Sequence, residues 1–194
     1  TTRAKNTKSK TPERALLERA RFEEARQLIR SAQYPLLTCH ISPDGDAVGS
    51  LVALGRALRQ IGQEPLLLCE DPIPSSFDYI PGVEEIVREV DEPDGVSCDL
   101  VIYLDCSDRS RGGRFPQAPA FEDALLLNID HHMTNLNFGD VNLVDPQASS
   151  TAQIVLRLLE HAGIPLDVEI ATALLVGIVA DTRGFRTNNV TAQV

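Results

Sequence analysis

The chain has 194 residues, 43% hydrophobic and 24% charged, the balance of a soluble globular domain long enough to bury a sizeable core. It contains no run of about 18 apolar residues, so no membrane span is expected. The formal net charge is −10 and uneven: residues 1 to 30 carry nine basic and four acidic groups, residues 31 to 194 nine basic and 24 acidic. An acidic body argues against duplex DNA gripped by a broad basic surface. A small phosphorylated substrate stays open, because bound cations can reverse a local field.

Residues 1–11 are polar, basic and without periodicity, and read as a disordered basic tail. Pro12 suits the first turn of a helix capped by Thr11, whose apolar stripe is Leu16, Leu17, Ala20, Ala25, Leu28 and Ile29. The N-terminus lacks the apolar core of a signal peptide, which places the protein in the cytoplasm. Pro35 to His40 reads as a first strand and Ala47 to Ile61 as a helix stopped by Gly62. Pro65 to Cys69 is a continuous apolar run, as in a strand covered on both faces. A short helical turn is expected over 77–81, and Glu84 to Val90 has no clear type.

Asp99 to Asp105 is a third strand, and Ser107 to Pro119 an extended connection rich in Gly, Arg and Pro. Ala124 to Ile129 is a fourth strand and Val141 to Val144 a fifth. Two helices follow: Ser149 to Ala162, capped by Ser149 or Ser150, and Val168 to Ala180, nearly all apolar and expected buried. Val190 to Ala192 has the look of a further helix start. Strands alternating with helices predict an α/β fold with a mostly parallel five-stranded sheet and helices on both faces. Cys39, Cys69, Cys98 and Cys106 are widely spaced without Cys-x-x-Cys, which favours buried reduced thiols over a disulfide or zinc site.

Three strands end in metal-type residues: His40 with the turn Pro43-Asp44-Gly45-Asp46, then Asp105, then Asp130-His131-His132. Asp181 follows the last helix. Singly, a His at a strand end is usually structural and an Asp in such a turn usually a turn residue. Together they are notable, because in parallel sheets the carboxyl ends of the strands share one ligand-binding edge. The candidate ligands are His40, Asp44, Asp46, Asp105, His131 and Asp181. Oxygen and imidazole donors without thiolate suit manganese or magnesium, with cobalt or iron as alternatives. Four carboxylates call for two divalent ions on charge grounds. Two ions about 3.5–4 Å apart activate water and clamp a phosphoryl group for in-line attack.

The residues His40-x-x-x-Asp44-x-Asp46-Ala47-x-Gly49-Ser50, Leu104-Asp105, Asp130-His131-His132 and Asp181-Thr182 resemble the four motifs of the DHH phosphoesterases. The run Ser42 to Ser50, with Asn135, Phe138-Gly139 and Ala148-Ser149-Ser150-Thr151, is similar to the nanoRNase and pAp-phosphatase branch, which also holds cyclic-dinucleotide phosphodiesterases. The resemblance covers roughly residues 30 to 190. It implies that residues 12–194 form a DHH catalytic domain, followed in members of this branch by a C-terminal substrate-binding domain with a Gly-Gly-Gly-His-type motif; no such motif occurs in these residues, and a fragment is expected over a minimal form.

It further implies one manganese on His40 and Asp44, another on Asp46 and His131, Asp105 bridging both and Asp181 completing the set. Asp105, His132 and Asp181 are expected to serve catalysis, with His132 near the substrate phosphate or holding a ligand. Asp130 is expected to orient an imidazole. Arg109, Arg183, Ser149 and Ser150 are candidates for substrate phosphate, with Arg111, Arg114, Arg186 and Thr151 beside them; solvent-facing arginines and a plain helix cap explain the same residues. His161 is expected to be structural. The expected activity is two-metal hydrolysis of phosphate esters of short nucleotides or short RNA. A manganese pyrophosphatase or polyphosphatase, a non-catalytic nucleotide-binding domain and a homodimer stay open.

Overall fold

A computed structural model describes residues 12–89, 97–192 and 194. The expected basic tail and its Thr11 cap lie outside the described residues. Four α-helices, α1 (Pro12–Ser31), α2 (Gly45–Gln60), α3 (Thr151–Ala162) and α4 (Val168–Asp181), accompany five strands. These are β1 (Pro35–Cys39), β2 (Leu66–Leu68), β3 (Leu100–Leu104), β4 (Leu125–Asp130) and β5 (Val141–Val144). Every pairing in the sheet is parallel, in the order β2-β1-β3-β4-β5. Chain order reverses between β1 and β3, so a crevice opens at the carboxyl ends of those two strands, where α/β sheets bind ligands.

Strand side chains alternate between two cores. Leu37, Cys39, Ile102, Leu104, Leu127 and Ile129 face a core shared with all four α-helices. Leu36, Val101, Tyr103 and Leu126 face a smaller one with Phe121 and Ala124. The helices on this second face are short: residues 107–119 are not extended but wind through 3-10 turns at Arg109–Gly112, Phe115–Gln117 and Pro119–Phe121. Asp108 caps the first, and Pro116 and Pro119 sit in the opening turn of the others, where a missing N–H costs nothing. Phe121 and Phe115 then pack under the sheet, with Tyr103 and Phe138 edge to face at 5.1 Å.

Three further expectations change. In α1 the buried face is Phe22, Ala25 and Ile29, packed toward β5 and α3, whereas Leu16 and Leu17 are mostly exposed. Leu17 instead borders a cavity of about 280 Å³ with Phe22, Leu143 and Ile154. Helix α4 is half covered: Ile170, Ala173, Leu174, Gly177 and Ile178 pack inward, while Leu175 and Val179 reach solvent. It forms an outer layer over α2 and α3, so only one face is covered. Residues 190–192 form no helix; the Val194 N–H closes a turn on the Thr191 carbonyl. The untyped segment after Glu84 is a 3-10 turn followed by a single parallel bridge from Val87 to Leu68. Cys39, Cys69 and Cys106 are buried, Cys98 is partly exposed, and all four are free thiols.

Candidate metal centre

His40 leaves the end of β1 into the crevice beside β3. Its Nδ1 lies 2.9 Å from the Ile41 carbonyl, which can only accept, so Nδ1 carries the proton and Nε2 is left to the crevice. There Nε2 is 3.4 Å from Asp105 Oδ2 and 3.8 Å from Asp44 Oδ1. Asp44 is the N-cap of α2, its Oδ1 accepting from the N–H groups of Asp46 (3.0 Å) and Ala47 (3.1 Å). The Pro-Asp-Gly-Asp segment is therefore both turn and donor. Burial works against the His40 imidazolium, but Asp105 and Asp44 outweigh it and hold its pKa up at about 10. His40 in turn leads in holding Asp44 down to about 2.

Asp105 follows β3 with φ of 59°, a left-handed conformation that costs free energy in a non-glycine residue and is typical of functional sites. Its N–H donates to the Ile129 carbonyl, fixing the turn against β4. The carboxylate is 3% exposed as a residue and spans the crevice, Oδ2 toward His40 and Oδ1 toward His131 (3.7 Å) and His132 (3.6 Å).

Asp46 is wholly buried in the first turn of α2 and reaches the N-terminus of α3. Its Oδ2 accepts from the Thr151 N–H (2.6 Å) and its Oδ1 from the Ala152 N–H (2.9 Å). Burial first, then Asp105 and Asp181, push its pKa well above the ordinary carboxylate range, against those N–H groups. Asp181 is the last residue of α4, in the helix rather than after it, with its side chain 28% exposed. Burial raises its pKa, His131 opposes, and Asp105 and Asp44 add to the rise. Two glycines allow α4 to deliver it: a Cβ on Gly49 would stand 2.4 Å from the Ala173 carbonyl, and one on Gly177 would stand 2.6 Å from the Ala152 Cβ. Helices α2 and α4 touch backbone to backbone here, and α3 meets α4 through the Ala152 methyl group.

His131 and His132 follow β4 with rings 4.6 Å apart. His131 Nε2 is buried without a hydrogen-bond partner, and lies 3.3 Å from Asp181 Oδ2, 3.7 Å from Asp105 Oδ1 and 3.9 Å from Asp46 Oδ2. A nitrogen aimed at three carboxylates and bonded to none is the arrangement a cation resolves. His132 is held differently. Its Nδ1 is 2.7 Å from Asp130 Oδ1, which leads in raising its pKa, and Asn135 donates to Asp130 Oδ2 at 2.5 Å. Asp130 is buried, which pushes its pKa up, yet His132 and Asn135 bring it below the ordinary value.

Donor atoms within 4.8 Å of one another fall into three trios: His40, Asp44 and Asp105; Asp46, His131 and Asp181; Asp105, His131 and His132. All six candidate ligands thus meet at one edge of the sheet, and the donors present fit divalent cations. The candidate substrate residues are placed otherwise. Ser150 is the N-cap of α3, its Oγ accepting from the Gln153 N–H, and Ser149 is fully buried with its Oγ unpartnered. The α3 N–H groups that might have met a phosphate already meet Asp46. Arg109 lies beside the Tyr103 phenol, which belongs to the second face, and Arg114 pairs with Glu70 at 2.9 Å. Arg183 is exposed just past Asp181, at φ of 49°. His161 lies 3.2 Å from Glu23, remote in sequence and fold from the cluster. Thr151, a candidate for substrate phosphate in the sequence, instead donates its hydroxyl to Asp105 Oδ1 at 2.8 Å, and the close approach of Gly177 to Asp46 has no signal in the sequence.

Residues 36–178 match the family model described as "DHH family, N-terminal domain". A bifunctional oligoribonuclease and PAP phosphatase of Thermus thermophilus is 35% identical over 170 residues, 87% of this chain and 49% of that protein. Its counterpart in Bacillus subtilis is 31% identical over 162 residues, 80% of this chain and 48% of that protein. The crystal structure of an exopolyphosphatase-related protein from Bacteroides fragilis superposes with a TM-score of 0.81 at 25% identity, covering 90% of this chain and 53% of the other. The chain spans about half the length of the curated relatives it matches. Among the described residues no helix is long and apolar enough to cross a membrane.

Proposed function

This chain belongs to the DHH family, and from that premise we propose that it is a metal-dependent phosphoesterase that hydrolyses phosphate esters of short nucleotides at a two-metal centre. The observation that carries the reading is Asp105, whose two carboxylate oxygens face two separate donor groups, His40 with Asp44 and His131 with its partners. His40, Asp44 and Asp105 would hold one divalent ion and Asp46, His131, Asp181 and Asp105 the other, with manganese favoured by the donor set. Such ions supply an acidified water and Lewis-acid neutralisation of phosphoryl oxygens. The protein's own part is to fix the donors and to present a proton. His132, held at Nδ1 by Asp130, leaves Nε2 free on the open side of the cluster, 45% exposed as a side chain. There it can hydrogen-bond a phosphate oxygen or protonate a leaving oxygen. Arg183 is the nearest exposed guanidinium in sequence to Asp181 and is our candidate for bidentate contact with phosphate.

The named activities of the two bacterial relatives support pAp, dinucleotides and short oligoribonucleotides as substrates. Hydrolysis of polyphosphate is a second reading, favoured by the Bacteroides structure. A manganese-supplemented panel of pAp, short RNA, cyclic dinucleotides, pyrophosphate and polyphosphate tests both. Turnover of the nucleotides and not of the inorganic substrates is expected. Turnover of polyphosphate alone transfers the site to the second reading, and binding of pAp without turnover makes the domain non-catalytic.

A further inference from the structure

The N-terminus of α3 and the loop before it hold the part of the cluster that the proposed metal assignment does not explain. Asp46 and Asp105 come from different strands' ends and belong to different donor trios, yet both are tied to one residue. Thr151 donates its N–H to Asp46 Oδ2 at 2.6 Å and its hydroxyl to Asp105 Oδ1 at 2.8 Å. Both carboxylates are almost fully buried; Asp46 is also held by the Ala152 N–H, whereas for Asp105 the Thr151 hydroxyl is the hydrogen bond that fixes the plane of the carboxylate. The hydroxyl is not needed for the helix itself. Ser150 supplies the cap, through its own Oγ and the Gln153 N–H, and the fully buried Thr151 hydroxyl makes its one hydrogen bond among the described residues to Asp105.

We propose that Thr151 is a positioning residue for the metal centre, fixing the plane of Asp105 so that Oδ2 serves the His40 side while Oδ1 serves the His131 side. The inference rests on the two-metal reading above and assigns the residue on which the coupling of the two ions depends. Its hydroxyl leaves one lone pair of Asp105 Oδ1 free for an ion and denies the carboxylate the rotation that would place both oxygens on one side. Partners that orient ligand groups in this way typically govern metal affinity by 10–100-fold.

The test uses this chain stripped of metal and titrated with Mn²⁺, followed by calorimetry and by electron paramagnetic resonance. Wild type is expected to take up two ions and to develop the exchange-coupled signal of a manganese pair. Thr151→Val keeps the N–H and the shape but removes the hydroxyl; it is expected to bind the first ion normally, to bind the second about 10–100-fold more weakly, and to lose the coupled signal at equal loading. Thr151→Ser should restore both. Thr151→Ala, which adds no methyl group beside the carboxylate, must repeat the valine result, and the metal-free melting temperature of each variant reads folding separately. Two ions bound with wild-type affinity and coupling in the valine or alanine variant overturns the proposal, as does a serine variant as poor as valine. A wild type that takes up fewer than two ions overturns the two-metal reading itself, before any variant is compared.

Discussion

Charged groups occupy two regions of this molecule under opposite rules. On the surface carboxylates pair with arginines: Arg157 lies between Asp145, at 2.8 Å, and Glu18, and Arg59 reaches Glu85 at 2.7 Å. At the sheet edge Asp44, Asp46, Asp105 and Asp181 converge on His40, His131 and His132, with no arginine or lysine paired to them among the described residues. The surface pairs are half in water and worth little to stability, about 0–1 kcal/mol each. The edge cluster costs stability, since burial and mutual repulsion push Asp46 and Asp181 upward. Matched charges report on solubility and surface packing; unmatched buried charges report on what the protein is built to hold.

Removing a cluster carboxylate should produce the largest effect. Asp105→Ala and Asp181→Ala should each lower manganese-dependent hydrolysis by about 10³-fold or more, because in the proposed mechanism several kcal/mol of transition-state charge stabilisation depends on the ions they would hold. Circular dichroism should show the fold retained, and wild-type activity in either variant would dissolve the contrast. Filling the site comes next. At free Mn²⁺ about 100-fold above Kd, each site adds about 2.7 kcal/mol, enough to raise the melting temperature by about 5–10 °C in a chain of this size. A calorimetric scan with and without chelator measures it.

The same scans sharpen the comparison when run against pH. His40, raised from 6.5 to about 10, stabilises the chelated protein fully below pH 6.5, and that contribution is lost as pH rises through 10. Asp46 and Asp181, whose folded pKa values are raised, act in the same direction: once pH passes the ordinary carboxylate value the folded state pays for ionising them. Chelated protein should therefore melt lower as pH rises from neutral to 10. Manganese-loaded protein should flatten or reverse that slope, because its ligands must be deprotonated to bind. Parallel slopes with and without metal would separate the cluster from the metal.

Gly49→Ala strikes the support of the site rather than the site. Its Cβ would stand 2.4 Å from the Ala173 carbonyl, so α4 must move; a loss of about 1–3 kcal/mol is expected, with weaker manganese binding as Asp181 shifts. The smallest effect belongs to the matched region. Arg59→Ala, which breaks the pair with Glu85, should change stability by less than about 1 kcal/mol and leave hydrolysis unchanged.

The residues that meet at the sheet edge were legible in the sequence because His40, Asp105, His131 and Asp181 stand where an apolar strand or helix stops, Asp44 and Asp46 open the next helix, and a parallel sheet brings those points to one edge. The sheet, its five strands and its α/β class were legible for the same reason: continuous apolar runs separated by turn residues. Three things were not. The donors to Asp46 come from Thr151 and Ala152, more than a hundred residues away, and no local pattern announces a carboxylate that caps a distant helix. Ser150 is the helix cap the sequence allowed, but the burial of Ser149, whose hydroxyl has the right chemistry for phosphate, comes from tertiary packing. The 3-10 turns beneath the sheet hide in a segment whose Gly and Pro content reads equally well as extended chain. In each case the missing information is which elements touch, not which residues are present.

The proposed sharing of Asp105 is tested most directly by anomalous diffraction at the manganese edge from crystals soaked in Mn²⁺. The account predicts two peaks about 3.5–4 Å apart, one among His40, Asp44 and Asp105 and the other among Asp46, His131, Asp181 and the same Asp105. A single peak, or two that do not share Asp105, would contradict it.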